Sequence, residues 1–362
     1  MQIITLVIVG LAIYSIAATT QANLERIGIS SGFGFLSEPS GFQIGFTLWD
    51  YSRTSTYLDV FWVGVGNSLL ASFFAIALCT IIGLVIGIAQ LSSNKLTSVL
   101  ARTYVEIFRN VPLLLNIFFW YFVTLNIFPK VADSLSISEM VFLNQRGLFL
   151  PTLVFENGVG SVVAWLFGLA FFVAIVLGFL RGILLGVGAL CASLIAMAGL
   201  IAVGLLPAIV EVPAPTRFNI SGGFEIVPEL FALILGLSIY HGAFVAEYVR
   251  GGILSVPKGQ SEAAHSTGLS NWQTLRFVVI PQSLRVIIPP YVSNNLNVLK
   301  NSSLGAAIAF PEVVNVFAGT ALNQTGKAIE IILMVMLFYF TMSMLISLVL
   351  NVYNKRVQMV ER

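Results

Sequence analysis

Two histidines, two cysteines and a lysine in a largely apolar chain are the residues whose chemistry needs explaining first. His241 and His265 stand 24 residues apart, outside the H-E-x-x-H spacing that sets two imidazoles on one helix face for a metal. Cys79 and Cys191 each lie in an apolar run with no second ligand at zinc or redox spacing, and read as thiols packed in a membrane. No metal site, catalytic group or cofactor is expected. Nor does any stretch fit G-x-x-x-x-G-K-[ST]. The nearest, Gly319 to Lys327, spaces its glycines differently and has Ala328 where the magnesium-binding hydroxyl belongs. Nucleotide hydrolysis is therefore not expected of this chain.

Lys300 carries the other kind of chemistry. It follows Ser293-Asn294-Asn295-x-Asn297 and precedes Asn301, Ser302 and Ser303, all in a stretch otherwise apolar and opened by Pro289-Pro290. A charge in hydrocarbon is costly and marks a functional position by default. Lys300 could meet a carboxylate passing along a path, or pair internally with Glu247 or with helix carbonyls. Asn110 and Asn116, and Tyr240 with His241, are further candidates to line that path, each with a helix-to-helix hydrogen bond as the alternative. Glu247 and Arg250 sit one turn apart and read as an i, i+3 ion pair.

The elements that must hold these residues are membrane spans. Of 362 residues, 57% are hydrophobic and 9% charged, and the mean hydropathy is +0.95, against about 25% charged residues in soluble domains. A span needs about 20 apolar residues because lipid satisfies no backbone group. Eight stretches qualify: Met1–Thr20, Val60–Leu91, Thr103–Phe128, Gly158–Leu180, Ile183–Val210, Val227–Val249, Val286–Phe310 and Ala328–Tyr353. The chain divides accordingly into an N-terminal anchor with its outer loop (1–56), two core spans (57–128), outer loops with two accessory spans (129–226) and three further core spans (227–362).

Lys95, Arg102, Arg109, Arg181, Arg250, Lys258, Arg276, Arg285, Lys355, Arg356 and Arg362 fall on the side of the C-terminus, against Arg26, Arg53, Lys130, Arg146, Arg217 and Lys327 opposite. The positive-inside rule makes the C-terminus and the 250–285 loop cytoplasmic. The first span lacks the basic start of a signal peptide yet ends near Ala17, Ala18 and Ala22. We read it as a retained anchor with a cytoplasmic N-terminus; cleavage would leave seven spans oriented as before. A net charge of +2 suggests no nucleic-acid partner. Trp49, Tyr51, Tyr57 and Trp62 are placed for the lipid headgroup boundary. Gly83-x3-Gly87 and Gly178-x3-Gly182-x3-Gly186 are faces for close helix approach.

The 250–285 loop reads as two short helices. Pro257 suits the first turn of one, covering Pro257–Thr267, and Gly268 offers a left-handed stop. Ser270 and Gln273 form a Ser-x-x-Gln capping box that opens the second, expected to end before Pro281. Glu262, Ala263 and Ala264 put one carboxylate beside two methyl-sized side chains. That surface lets another protein approach closely and be oriented; a loop packed on its own bundle explains it equally well.

The run Glu262-Ala263-Ala264, three residues, Gly268, nine residues, Val278-Val279-Ile280-Pro281 resembles the EAA-x3-G-x9-I-x-L-P signature of ABC importer permeases, with Val278 and Ile280 at two aliphatic positions. Its lead-in from Gly242 to Ile253, with Glu247 and Arg250, and the element Arg109-Asn110-Val111-Pro112-Leu113-Leu114 resemble the polar and general L-amino-acid subgroup, with Val111 in place of threonine. The resemblance covers the second, third and sixth to eighth spans. It implies an all-α integral membrane protein of about eight transmembrane helices, with a five-helix permease core and two cytoplasmic coupling helices, in the bacterial inner membrane. It implies an ATPase subunit dimer docking on Glu262, Ala263, Ala264, Gly268 and Pro281, a second permease subunit, identical or homologous, a periplasmic amino-acid-binding protein, an L-amino acid as substrate, and alternating access as mechanism. The competing readings are an ion-coupled secondary transporter or channel without an ATPase, an ABC permease for another solute, and a redox-complex anchor. Two unpaired histidines and two cysteines are few for the last. For the first, two matched broken helices in repeated halves are missing.

Overall fold

The computed structural model describes residues 32–155, 208–216 and 219–357, with scattered helical positions between 4 and 19 and between 189 and 196. The first, fourth and fifth expected spans lie largely outside these residues, as do Cys191 and the glycine series from Gly178 to Gly186. The described chain is mostly helical: α1 (Tyr57–Ala89), α2 (Lys95–Asn110), α3 (Leu113–Ile127), α4 (Pro228–Leu254), α5 (Lys258–Ser266), α6 (Asn271–Thr274), α7 (Ile280–Asn301), α8 (Leu322–Thr325) and α9 (Ala328–Val357). Among the described residues three helices, within α1, α4 and α9, are long and apolar enough to cross a membrane, and the pair α2 and α3 makes a fourth if the two are one broken span.

That break corrects the expectation of one straight span from Thr103 to Phe128. Val111 and Pro112 are both extended, with ψ near 132°, because proline's ring excludes the helical region for the residue before it. The two helices consequently meet at 108°. The seventh span also departs from a plain helix. Residues Ser302–Ile308 tighten into a 3-10 helix that ends on Ala309 in the left-handed region, φ 60°.

An all-helical chain was expected, yet the described residues of the 129–226 segment include eight short strands. Four form an antiparallel sheet in the order β1 (Leu135–Ile137), β2 (Val141–Asn144), β3 (Gly147–Leu150) and β8 (Phe224–Ile226). Phe142, Phe149 and Ile220 are buried together in its small core. Two ribbons complete the segment: β4 (Thr152–Phe155) with β5 (Ala208–Glu211), and β6 (Ala214–Pro215) with β7 (Ile220–Ser221). The end of the expected fifth span, at Val210, is therefore strand.

The chain forms two compact units. The first comprises residues 1–68 and 311–342. Thr56 and Asp59 open its helix by a reciprocal cap, the Asp59 carboxylate accepting from Thr56 N at 2.8 Å and Thr56 Oγ1 from Asp59 N at 3.3 Å. Phe61 stacks edge-on against Phe317 at 5.1 Å, and Asn67 Nδ2 donates to the carbonyls of Phe46 and Pro311. Fully buried Glu312 caps the following turns, accepting from Val314 N and Asn315 N at 2.8 and 2.7 Å. Of the four aromatics expected at the lipid boundary, Trp62 is half exposed, whereas Tyr57 is buried and bonded to Gln324 and Tyr51 is bonded to Ser40. Trp49 lies over Gly66.

The second unit comprises residues 69–310 and 343–362. Its organising element is α4, which Pro228 opens in the first turn. Between spans there is no hydrophobic drive to associate, so close approach depends on small residues. Here Gly83 and Gly87 of α1 lie against Val245, Ala246 and Val249 of α4, and a Cβ at Gly87 would come within 2.7 Å of Val249 Cβ. Gly236 receives Ile117 of α3, and Gly252 receives Ile287 of α7. Cys79 is buried with Val245 and Val249, the packed thiol its apolar run suggested.

Candidate functional site: the capped loop and the polar seam

Both candidate regions lie in the second unit. In the 250–285 loop, α5 starts after Pro257, which occupies the cap position, and ends in a Schellman turn. Gly268 N donates to His265 O at 2.9 Å, and Leu269 N to Ala264 O at 3.2 Å, with Gly268 at φ +86°. Two orphan carbonyls are thereby satisfied inside the loop. Ser270 and Gln273 then close the expected capping box, at 2.9 and 3.3 Å. The second helix does not end before Pro281. A π-helical stretch, Leu275–Val279, widens the turn and carries the chain into α7, so that Pro281 falls in the first turn of the next helix.

The loop's side chains divide sharply. Glu262 and Ala263 are exposed, while Ala264 is buried and its carbonyl serves the Schellman turn. Glu262 and Ala263 share the loop's free surface with exposed Lys258, Gln260, His265 and Trp272, and Gly268 is exposed at the elbow.

At the C-terminal end of the expected sixth span, pieces distant in sequence meet. Glu247 accepts a two-point contact from Arg250, 3.1 and 3.0 Å, and Arg109 Nη1 approaches its Oε2 at 3.7 Å. The Arg109 guanidinium also lies 5.4 Å from the Phe244 ring centroid. The i, i+3 pair is present, then, and Arg109 completes it. Pro112, two residues beyond Asn110's helix end, is exposed at the break. Because Glu247 is engaged by two arginines, it is not the partner of Lys300, one of the internal pairings the sequence left open.

Lys300 itself is exposed, and among the described residues no carboxylate forms an ion pair with it. Asn297 is exposed on the same helix. Ser302 and Ser303 turn their hydroxyls back to the carbonyls of Leu299 and Lys300, each at 2.7 Å. Asn110 folds back on Glu106 O at 2.7 Å, and Asn116 donates to Gly236 O at 2.8 Å. Asn116 thus makes the helix-to-helix hydrogen bond that the sequence left open for it, whereas the Asn110, Ser302 and Ser303 bonds are local, three or four residues back along the chain.

His241 does not stand alone. Its Nδ1 lies 2.8 Å from Asn294 Oδ1 and its Nε2 3.2 Å from Asn301 Nδ2. A neutral ring with the proton on Nδ1 satisfies both, donating to Asn294 and accepting from Asn301. Tyr240 packs edge-on to the imidazole at 5.1 Å. His241 and Asn294 are each 3% exposed, and among the described residues Asn294 Nδ2 has no partner. An unmatched buried amide costs about 1–3 kcal/mol. Asn294 lay inside the polar run visible in the sequence, but nothing in spacing alone distinguished it from Asn297, since that depends on which face of α7 meets α4. Among the described residues no group of three His, Cys, Asp or Glu side chains could hold a metal.

Residues 79–359 match the family described as binding-protein-dependent transport system inner membrane component. The chain is 46% identical over 354 residues to the putative amino-acid ABC transporter permease protein YhdX of Escherichia coli K12, covering 95% of this chain and 89% of that one. It is 42% identical to the general L-amino acid transport system permease protein AapQ of Rhizobium johnstonii, covering 100% of this chain and 92% of the relative. In fold it resembles a crystal structure of an amino acid ABC transporter with histidines, at TM-score 0.50 and 21% identity, over 83% of this chain and 95% of that one. The family match, taken with spans, glycine-mediated packing and the capped 250–285 loop, makes this chain a membrane transport subunit belonging to the binding-protein-dependent inner membrane component family.

Proposed function

We propose that the chain forms half of the translocation path of an ATP-driven L-amino-acid importer, with Glu262 and Ala263 as its contact for the ATP-binding subunit. The observation that carries this reading is the loop itself: its backbone is satisfied internally by the Schellman turn and capping box, while Glu262 and Ala263 are left outward beside other exposed loop side chains such as His265 and Trp272. A self-contained element with an exposed face suits transmission of movement between subunits. The amino-acid class is supported by YhdX and AapQ, whose matches extend across nearly the whole chain, including the 129–226 segment.

In this reading the chain has eight spans with both ends cytoplasmic. Residues 57–128 and 227–362 supply the five-span core, and 1–56 and 129–226 are additions to it. The partners are an ATPase dimer, a second permease of the same or a homologous kind, and a periplasmic binding protein for an amino acid. Lys300 and Asn297, exposed on α7, line the path together with Asn301, and the buried His241–Asn294 pair holds α4 against α7 behind them. Lys300 would offer a cation to a substrate carboxylate, a contact strengthened where water is scarce.

Competition by a panel of L-amino acids for uptake into cells expressing the complete complex tests the substrate class. Inhibition by amino acids and not by sugars or inorganic anions is expected; the reverse pattern would overturn it. A solubilised complex lacking any ATP-binding subunit would instead favour a transporter working without one.

A further inference from the structure

The β4–β5 ribbon has no side suited to water. Its register pairs Leu153 with Val210 and Val154 with Ile209, and successive residues of a strand point to opposite faces. Each face therefore carries one of these apolar pairs. All four side chains are exposed, 43% for Leu153 and Val154 and 58% for Ile209 and Val210. A two-stranded ribbon is marginal in water even with one polar face. With apolar groups on both faces and, among the described residues, nothing that buries either, an aqueous ribbon would be an association hazard.

Polarity changes along the ribbon in one direction. At its base Thr152 pairs with Glu211, which is exposed and close to Gly222. Beyond that pair both strands are apolar and lead into residues 156–207, whose sequence holds the runs read as the fourth and fifth spans. Backbone groups in the ribbon are paired with each other, as hydrocarbon contact requires of any spanning or penetrating segment.

We infer that the ribbon is a lipid-contacting neck: the outer leaflet of the membrane covers both faces of Leu153, Val154, Ile209 and Val210, and the water boundary falls between them and the Thr152–Glu211 pair. The occupant is acyl chain and glycerol-level lipid, since the strands are continuous with apolar sequence long enough to span twice. The inference rests on the reading of 156–207 as two spans.

The test uses the complete complex in nanodiscs, with Cys79→Ala and Cys191→Ala as background. Single cysteines at 152, 153, 154, 209, 210 and 211 carry a nitroxide, and collision with oxygen is compared with collision with a water-soluble nickel chelate. Phe172→Cys serves as a control inside the expected fourth span. Oxygen contact several-fold above nickel contact is expected at 153, 154, 209 and 210, and the reverse at 152 and 211. Nickel contact at either apolar face would overturn the neck. So would low collision with both reagents, which would assign the covering to protein. If Phe172 is also nickel-accessible, the two-span reading fails with it; an oxygen-rich Phe172 beside a water-exposed ribbon refutes the neck alone.

Discussion

The 250–285 loop and the seam around α4 solve opposite problems with the same few residue types. In the loop, glycine, serine and glutamine satisfy the backbone locally, and the informative side chains, Glu262 and Ala263, are left outside. In the seam, glycines exist to bring helices into contact, and polar side chains such as His241, Asn294 and Asn116 are turned inward and engaged. The loop can therefore change partners without unfolding, whereas the seam cannot be altered without repacking. Substitutions should separate the two: stability moves with the seam, coupling with the loop.

The largest effect is expected from Gly83→Val or Gly252→Val, where the new side chain would occupy the space of Val245 or of Ile287. Overpacking typically costs about 1–3 kcal/mol, and the close approach at these glycines places the change at the upper end, so the yield of assembled, monodisperse complex should collapse. Wild-type yield and melting temperature would break the comparison. Next comes Glu262→Arg, which should reduce ATP-driven uptake about tenfold or more, the scale of a 1.4 kcal/mol change in docking, with unaltered melting. Lys300→Ala should lower uptake several-fold at constant amounts of complex in vesicles; unchanged transport would remove Lys300 from the path. Gly268→Ala places a side chain at φ +86°, a cost of about 1 kcal/mol, visible as a small drop in melting temperature. Ala309→Gly is the smallest and opposite in sign, relieving a left-handed alanine by up to about 1 kcal/mol.

Much of the loop was readable because its signals are local: a glycine at a helix end and a Ser-x-x-Gln pair declare their hydrogen bonds within five residues. The spans were readable as apolar lengths, but hydropathy averages over Val111-Pro112 and so concealed the 108° turn between α2 and α3. Strands of two to four residues between 135 and 226 are too short for alternation to stand out. The Arg109–Glu247–Arg250 cluster joins positions about 140 apart, which no spacing rule within one helix predicts. The same limit hid Asn294, whose importance comes from facing His241 across two helices.

The contact between Glu262, Ala263 and an ATP-binding subunit is the centre of the proposed function, and photo-crosslinking tests it most directly. A benzophenone attached at Ala263→Cys in the complete complex should capture the ATP-binding subunit, and the adduct should lose uptake, while the buried Ala264→Cys position should label poorly and capture little. Capture of no ATP-binding subunit from position 263, in a complex that still transports, would contradict the assignment of this loop as the coupling surface.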